Sequence, residues 1–241
     1  MSPVGSVGRS VRGRRLPDAI PDSGADQEWL VNHGEGSTLD DTGEASALEG
    51  DIVGATWESS GGVDGYHLDF DGIDDVVRVD NSESQMHGDD GFTISVWINP
   101  DEWIPGANIA VKSEGGSTNP NDWGLFYLDG DEIGENEGIR LRVGADGGHE
   151  EDSTVPDTNE WSNVIGTWDG GSESEIYLNG SFDASDTADT PNDDDLFSWG
   201  APYDRSRRLF EGQISVVHYW DEGKDSSFIS DYYDDWKTFF E

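Results

Sequence analysis

The amino-acid sequence predicts an all-β sandwich of two antiparallel sheets, with an extended N-terminal arm and a short C-terminal helix. Runs of β-branched, aromatic and aliphatic residues recur roughly every 10 to 15 residues after residue 28, and Gly- and Asp-rich turns separate them. A helical period appears only after residue 225. A sandwich of this kind commonly uses 241 residues as one domain, so we expect one folded domain over residues 28–241.

The arm comprises residues 1–27 and differs in charge from the rest of the chain. Residues 1–15 contain four arginines and no acid, which gives +4; the whole chain has −40, so the remainder has −44. Without an apolar stretch the arm is not a secretory signal peptide. It would be a solvated tail or, as we expect, an arm that docks on an acidic neighbouring subunit. Its arginines are Arg9, Arg12, Arg14 and Arg15.

Twelve segments are predicted to be strands. In Phe92–Ile98 every second residue is apolar, which indicates a strand with one buried face. The stretch Phe70–Val79 predicts a hairpin, because Gly and Asp in its centre accept the backbone angles of a tight turn. The predicted strands are Trp29–Asn32, Ile52–Trp57, Tyr66–Phe70, Val76–Val79, Phe92–Ile98, Ile109–Lys112, Trp123–Leu128, Ile139–Val143, Trp161–Trp168, Glu175–Leu178, Leu196–Trp199 and Gln213–Trp220.

The C-terminal helix is predicted over residues 226–240, with Ser226 or Ser227 as its N-cap. Its aromatic residues fall on one helical face. The helix would pack on the edge of its own sandwich. Alternatively, its aromatic face, including Trp236 and Phe239, would contact a neighbouring subunit and make the chain part of a homo-oligomer or a larger assembly.

The charge restricts the partners of the chain. With 53 acidic and 13 basic residues, it has the surface expected of a protein from a very salty environment, where ions screen the self-repulsion. The alternative is an acidic surface for a basic partner or for cations. Nucleic-acid binding is excluded, since the folded part has no basic face for phosphates. No apolar run is long enough to span a membrane, and the lack of cysteine excludes disulfides and thiolate sites.

Six segments, taken in order, resemble the laminin-G-like, concanavalin A-like jelly-roll family. The resemblance covers about residues 28–241 and implies a lectin-like jelly-roll β-sandwich. The segments are Leu68–Val77, Phe92–Pro100, Trp123–Leu128, Trp161–Gly170, Glu175–Gly180 and Phe210–Ile214.

The resemblance also implies a structural calcium ion. Asp41 and Asp71 are its candidate ligands in this sequence. The family often has an Asp-Glu pair just after the Gly-Gln-Ile of its last strand, whereas Ser215 and Val216 stand there here.

Related jelly rolls include glycoside hydrolases, which need two carboxyl groups about 5 Å apart, usually at alternate positions on one strand face. The nearest candidates, Glu132 and Glu135, lie in an acidic loop without apolar neighbours, so we expect no catalysis. Sugar binding instead uses aromatic rings surrounded by polar groups. The candidates are Trp103 and a loop with the only basic patch of the folded part; its residues are Tyr203, Asp204, Arg205 and Arg207.

The sequence therefore predicts a non-catalytic, lectin-like adhesion module on the exterior of a virion or cell. The specific hypothesis is a capsid turret, decoration or tail-fibre subunit of a haloarchaeal virus. It would be anchored through its arm and attach to glycans or glycoproteins of the cell envelope. The alternative is an architectural subunit that binds only other subunits, and a glycoside hydrolase is a distant third.

Overall fold

The computed structural model describes residues 20–86, 88, 90–113, 123–129, 137–144, 153–191, 196–204 and 209–241. Within these residues the chain forms fifteen strands and one α-helix. The strands are β1 (Gln27–Leu30), β2 (Thr38–Leu39), β3 (Gly50–Val53), β4 (Thr56–Glu58), β5 (His67–Asp71), β6 (Val76–Val79), β7 (Phe92–Glu102), β8 (Asn108–Ser113), β9 (Trp123–Asp129), β10 (Glu137–Val143), β11 (Ser162–Trp168), β12 (Glu173–Leu178), β13 (Ser181–Thr187), β14 (Leu196–Trp199) and β15 (Glu211–Trp220). The helix α1 is Ser226–Trp236, and a short 3₁₀ turn, Lys237–Phe239, follows it.

The strands form two antiparallel sheets packed face to face, which confirms the predicted jelly-roll sandwich. The eight-stranded sheet has the order β13-β12-β11-β7-β15-β5-β4, with β1 also paired to β15. The seven-stranded sheet has the order β10-β9-β8-β14-β6-β3-β2. The core between the sheets is rich in aromatic rings, and Trp29, Trp123 and Trp199 are each 0% exposed there.

The segment Phe70–Val79 is not a hairpin, which corrects the sequence prediction. β5 pairs with β4 and β15 in one sheet, whereas β6 pairs with β3 and β14 in the other. The acidic turn between them therefore crosses from sheet to sheet. It is stabilised by its own carboxylates, since the Ile73 N–H donates to Asp71 Oδ1 and the Asp71 N–H donates to Asp75 Oδ2, both at 2.8 Å.

The predicted strand Ile52–Trp57 is also divided between the two sheets. β3 belongs to the seven-stranded sheet and β4 to the eight-stranded sheet. The break falls at Gly54, whose φ of 90° favours glycine and whose missing Cβ leaves room for Asp75 Oδ1. Strands β2 and β13 were not predicted, because β2 has only two residues and β13 is mostly polar.

The folded domain begins earlier than the predicted boundary at residue 28. Ala25 is 1% exposed, Ile20 packs against the apolar cluster beneath α1, and the indole N–H of Trp220 donates to the Ser23 carbonyl at 3.3 Å. Residues 20–27 thus pack as part of the sandwich, where the sequence placed them in the arm.

Helix α1 covers the outer face of the eight-stranded sheet. Its N-cap is Asp225, whose Oδ1 accepts the Phe228 N–H at 2.9 Å, instead of the predicted Ser226 or Ser227. The helix packs on the face of its own sandwich rather than on the edge. Its buried residues are Ile229, Tyr232 and Trp236.

This packing corrects the assignment of Trp236 to an assembly surface. Trp236 is 1% exposed within its own chain, so its side chain offers no surface to a neighbouring subunit. Phe239 is partly buried against the same apolar cluster. In the described part of the chain, no helix is long and apolar enough to cross a membrane.

Candidate functional site

An open groove lies on the outer face of the eight-stranded sheet, beside the start of α1. It has a volume of about 440 Å³, and its walls come from β11, β12 and the loop that joins β15 to α1. Three hydroxyl groups line it, from Thr167, Tyr177 and Ser226. Four carboxylates and one ammonium group are added by Asp169, Glu173, Glu175, Asp225 and Lys224.

The polar groups of the groove are held by hydrogen bonds. Tyr177 Oη donates to Glu175 Oε2 at 2.7 Å, and burial, together with this carboxylate, raises the pKa of the Tyr177 hydroxyl. Asp169 Oδ1 accepts the Gly171 N–H at 3.0 Å. The ammonium of Lys224 pairs with Glu222. The groove therefore presents mainly hydrogen-bond acceptors to a ligand.

The groove was not predicted from the sequence, although the sequence contains one signal for it. Glu173 and Glu175 occupy alternate positions on β12 and therefore point to the same face of the sheet. The predicted carboxylate candidates, Glu132 and Glu135, lie outside the described residues. The other wall comes from residues 223–226, about fifty positions along the chain, and local spacing does not reveal such a juxtaposition.

Trp103, a predicted ligand contact, serves mainly to pack the loop after β7. Its ring stacks on Tyr127 with the centroids 4.8 Å apart, and its Nε1–H donates to the Pro156 carbonyl at 2.9 Å. The side chain is partly buried against the core. One ring face and the indole donor are therefore engaged within the chain, and sugar binding by Trp103 stays a prediction.

Tyr203 lies in a small charged cluster after β14. The guanidinium of Arg78 lies 4.9 Å from its ring centroid, and the Arg78 Nε–H donates to the Tyr203 carbonyl at 2.7 Å. The Tyr203 hydroxyl donates to Asp80, and burial and this carboxylate together raise the pKa of Tyr203 to about 12. Asp204 is exposed beside it. Arg205 and Arg207, like the arm residues Arg9, Arg12, Arg14 and Arg15, lie outside the described residues.

The two predicted calcium ligands have different surroundings. The carboxylate of Asp41 accepts backbone N–H groups from Glu28, Gly43 and Leu48 at 2.8 to 2.9 Å, so it stabilises its own loop. Burial, which outweighs these hydrogen bonds, raises the pKa of Asp41. Asp71 instead shares its turn with two other carboxylates.

Among the described residues, one acidic group has a spacing that could hold a metal ion: Asp71, Asp74 and Asp75, with ligand atoms within 4.8 Å of one another. Asp41 is not part of it. Burial and the neighbouring carboxylates raise the pKa of Asp75. A calcium ion prefers six to eight oxygens, so these three residues would supply part of a coordination shell.

The positions where the family often has an Asp-Glu pair are used for packing in this chain. Ser215 Oγ accepts the Val63 N–H at 2.9 Å and donates to the Tyr66 carbonyl at 3.0 Å. Val216 is 0% exposed in the apolar cluster beneath α1. Neither residue can replace a carboxylate ligand.

Comparison with known proteins agrees with this architecture. The family model described as concanavalin A-like lectin/glucanases superfamily matches residues 71–227, more than half of the chain. Among curated protein sequences, none matches the chain.

Several solved structures share the fold at low sequence identity. The sialidase of Trypanosoma rangeli in complex with 2,3-difluorosialic acid superposes with a TM-score of 0.66 and 16% identity, over 91% of this chain and 33% of the sialidase. The chain thus spans about a third of that enzyme. Domain 4 of AbnA, an extracellular arabinanase of Geobacillus stearothermophilus in complex with arabinotriose, has a TM-score of 0.66 and 14% identity. The match covers 86% of this chain and 97% of that domain. The binding domain of botulinum neurotoxin serotype G has a TM-score of 0.57 and 13% identity, over 87% of this chain and 50% of that one.

Proposed function

Because the chain belongs to the concanavalin A-like lectin/glucanases superfamily, we propose that it is a non-catalytic carbohydrate-binding module whose ligand occupies the groove beside α1. The observation that carries the proposal is the groove itself, with hydroxyl and carboxylate groups around about 440 Å³ of open volume. That volume lies in the usual range of small-ligand sites.

The hydroxyl and carboxylate groups that line the groove suit a polyol ligand. Sugar hydroxyls are donors as well as acceptors, and hydrogen bonds from them to a carboxylate are stronger than those to neutral acceptors. Glu175 already accepts the Tyr177 hydroxyl through one oxygen, which orients its carboxylate toward the groove. The arabinanase domain, which has the same fold over nearly its whole length and holds arabinotriose, supports carbohydrate as the ligand class.

A pair of matched variants distinguishes the groove from the Tyr203 cluster. Glu175→Gln and Asp204→Asn each replace a carboxylate by an amide of the same shape. We expect Glu175→Gln to weaken oligosaccharide binding about tenfold or more, because a hydrogen bond to a charged group is lost, while Asp204→Asn leaves affinity unchanged. The probe is an immobilised panel of neutral and uronic-acid oligosaccharides that includes arabinotriose, measured in molar KCl with and without a calcium chelator.

If Asp204→Asn weakens binding and Glu175→Gln does not, the ligand would instead bind at Tyr203, Asp204 and the neighbouring Arg205 and Arg207. A folded wild-type chain that binds no oligosaccharide of the panel would contradict the proposal. Loss of binding in chelator would support a structural calcium ion, and Asp71→Asn should then reproduce the loss in the absence of chelator.

Glycoside hydrolysis is the second candidate, because Glu173 and Glu175 have the alternate spacing of a retaining pair. Against it, Glu173 is exposed, whereas the general acid of such enzymes is normally desolvated. Release of new reducing ends from the same panel by the wild type, abolished in Glu173→Gln, would establish hydrolysis in place of simple binding.

The wider role proposed for the module is adhesion on the exterior of a virion or cell, with the basic arm as its anchor. The architectural alternative requires no glycan. Binding of the chain to intact halophile envelopes in molar salt separates the two, since an architectural subunit would assemble with other subunits but bind no envelope.

A further inference from the structure

An exposed aromatic side chain lies beside the groove, on the last strand of the eight-stranded sheet. Among the described residues, two large hydrophobic side chains are exposed: Ile73, at 71%, and Phe182, at 56%. Ile73 lies in the acidic turn between β5 and β6. Phe182 lies on β13 directly opposite Tyr177, so both side chains point to the outer face. The two ring centroids are 5.7 Å apart and Tyr177 lines the groove, so Phe182 extends this surface to the edge of the sheet.

The backbone around Phe182 is held on both sides. The turn before it contains Gly180, at a φ of 75°, and a Cβ there would lie 2.7 Å from the Tyr233 side chain, so the turn packs against α1. After it, the carboxylate of Asp183 accepts the N–H and the hydroxyl of Thr154, at 2.7 Å each. The strand is therefore preorganised, while more than half of Phe182 remains exposed.

A second copy of the chain is a poor occupant of this edge. Strand β13 has two carboxylates, Asp183 and Asp186, and its register with β12 shifts at a bulge beside Asp183. Charged side chains and bulges on an edge strand both hinder its pairing with another strand. Each copy also has a net charge of −40, so two copies repel each other where salt does not screen them. The exposed ring instead suits a small ligand that already occupies the groove.

A sugar ring and the side chain of Phe182 have complementary surfaces. A pyranose ring with equatorial hydroxyls has C–H groups on its two faces, and burial of such an apolar face against an aromatic ring is favourable. The face of the aromatic ring is also electrostatically negative, which attracts the weakly positive C–H hydrogens. A sugar without carboxylates fits best, because four carboxylates already line the groove.

The spacing of Glu175 and Phe182 suits two linked sugar rings. The two residues lie on neighbouring strands and two positions out of register, since Glu175 pairs with Ser185 whereas Phe182 pairs with Tyr177. A strand rises about 3.3 Å per residue and neighbouring strands lie about 4.8 Å apart, which separates the two Cα atoms by about 8 Å. A ligand that bonds to one side chain and stacks on the other therefore needs more than one ring.

From this geometry we propose that Phe182 is a stacking platform of the groove and that the ligand is a neutral oligosaccharide with equatorial hydroxyls. One sugar ring stacks on Phe182, and hydroxyls of the next ring bind Glu175 and the other polar groups of the groove. The role of Phe182 rests on the proposed carbohydrate-binding function, and it adds the class of sugar and a minimum length of two rings.

Calorimetric titration of the full-length chain with cellotriose, whose glucose rings carry equatorial hydroxyls, tests the platform. We expect Phe182→Leu to bind cellotriose about tenfold more weakly than the wild type, because Leu is apolar but has no aromatic face. Phe182→Tyr keeps that face and should bind as the wild type does. The matched control Ile73→Ala shortens the other exposed hydrophobic side chain and should leave the affinity unchanged.

A single sugar ring separates stacking from a general effect on the fold. Methyl β-D-glucoside can occupy only one of the two positions, so the wild type should bind it more weakly than cellotriose. In Phe182→Leu this advantage of cellotriose should largely disappear, whereas a structural role of Phe182 would weaken both ligands equally. The urea midpoint of Phe182→Leu should stay close to that of the wild type, because the side chain is mostly exposed.

The remaining outcomes separate the platform from the proposed function. Cellotriose binding that Glu175→Gln weakens and Phe182→Leu leaves unchanged would overturn the platform and keep the groove as the carbohydrate site. A wild-type chain that binds no oligosaccharide of the panel would overturn both, and one that binds other members but not cellotriose would reject the class of sugar. A dimer in sedimentation velocity that Phe182→Leu abolishes would assign the ring to a contact between copies and also overturn the platform.

Discussion

A chain of buried hydrogen bonds joins the first strand to the last helix through the eight-stranded sheet. Asn163 Nδ2 donates to Ser95 Oγ at 2.9 Å, and Ser95 Oγ donates to Tyr232 Oη at 3.1 Å. His218 Nε2 lies 3.0 Å from Glu28 Oε2, so that nitrogen carries the proton and Nδ1 accepts from Tyr232 Oη at 2.8 Å. Every link points the same way, and the single anion, Glu28, lies at the end.

Two neighbouring residues of this hydrogen-bonded chain, His218 and Glu28, have shifted pKa values. Burial, which outweighs the neighbouring Glu28 carboxylate, lowers the pKa of His218 and so favours its neutral form in the folded protein. Burial alone would raise the pKa of Glu28, but hydrogen bonds from His218, Ser23 and Thr42 outweigh it and lower that pKa to about 2. The folded state thus disfavours protonation of both groups.

The free energy of unfolding should therefore decrease in two stages as the pH is lowered. The unfolded chain protonates His218 below about pH 6.5, so the free energy of unfolding decreases there by up to about 1.4 kcal/mol per pH unit. The contribution of Glu28 is complete above about pH 4.5 and is lost as the pH falls toward 2. Urea titrations at fixed salt between pH 5 and 8 measure the first stage, with His218→Gln as the reference. Parallel pH curves for the two proteins would contradict this account.

At the scale of elements, α1 has two roles that the local sequence does not separate. It seals the outer face of the eight-stranded sheet through Ile229, Tyr232 and Trp236, and its N-terminal end forms part of the groove. Asp225 serves both, as the N-cap and as a groove carboxylate. A substitution at Asp225 is therefore expected to change both the helix cap and the charge of the groove.

A comparison of two substitutions at Asp225 separates the contribution of the helix cap to stability from that of the carboxylate charge. Asn caps a helix as well as Asp does, whereas Ala leaves the Phe228 N–H without its partner. We expect Asp225→Ala to lower the free energy of unfolding by about 1 kcal/mol relative to Asp225→Asn. Urea unfolding followed by circular dichroism measures this difference. Equal stability of the two variants would mean that the cap contributes nothing.

For the whole molecule, the dominant feature is the net charge of −40. The described core between and beneath the sheets is strongly apolar and aromatic, so repulsion among the described carboxylates acts mainly at the surface. Raising the salt concentration from 0.1 M to 1 M shortens the Debye length from about 10 Å to about 3 Å, which removes most of that repulsion.

We therefore expect the protein to be more stable in concentrated KCl. The urea midpoint should rise steadily between 0.1 M and 2 M KCl at pH 7.5, because the compact state gains most from screening. Urea is the suitable denaturant, since guanidinium would itself change the ionic strength. A matched series in sucrose controls for general exclusion of co-solutes. A midpoint independent of KCl would count against the prediction of a salt-adapted surface.

The amino-acid sequence by itself determined most of the strands and the final helix. The alternation in Phe92–Ile98 reappears in β7, with the apolar side chains in the core between the sheets. A helix near the end of the chain was also predicted, although its N-cap is Asp225 and not a serine. These features depend on local periodicity, which a short window of sequence contains.

Only the tertiary structure decided which strands pair and which side chains meet. The acidic turn after Phe70 has the chemistry of a hairpin, yet it crosses between sheets, because β5 and β6 each bury their apolar residues against partners far away in the chain. The groove arises in the same way, from β12 and a loop about fifty residues later. Local patterns leave several strand pairings equivalent, and burial between distant segments selects one of them. The groove depends on that selection, whereas the fold class follows from the local patterns.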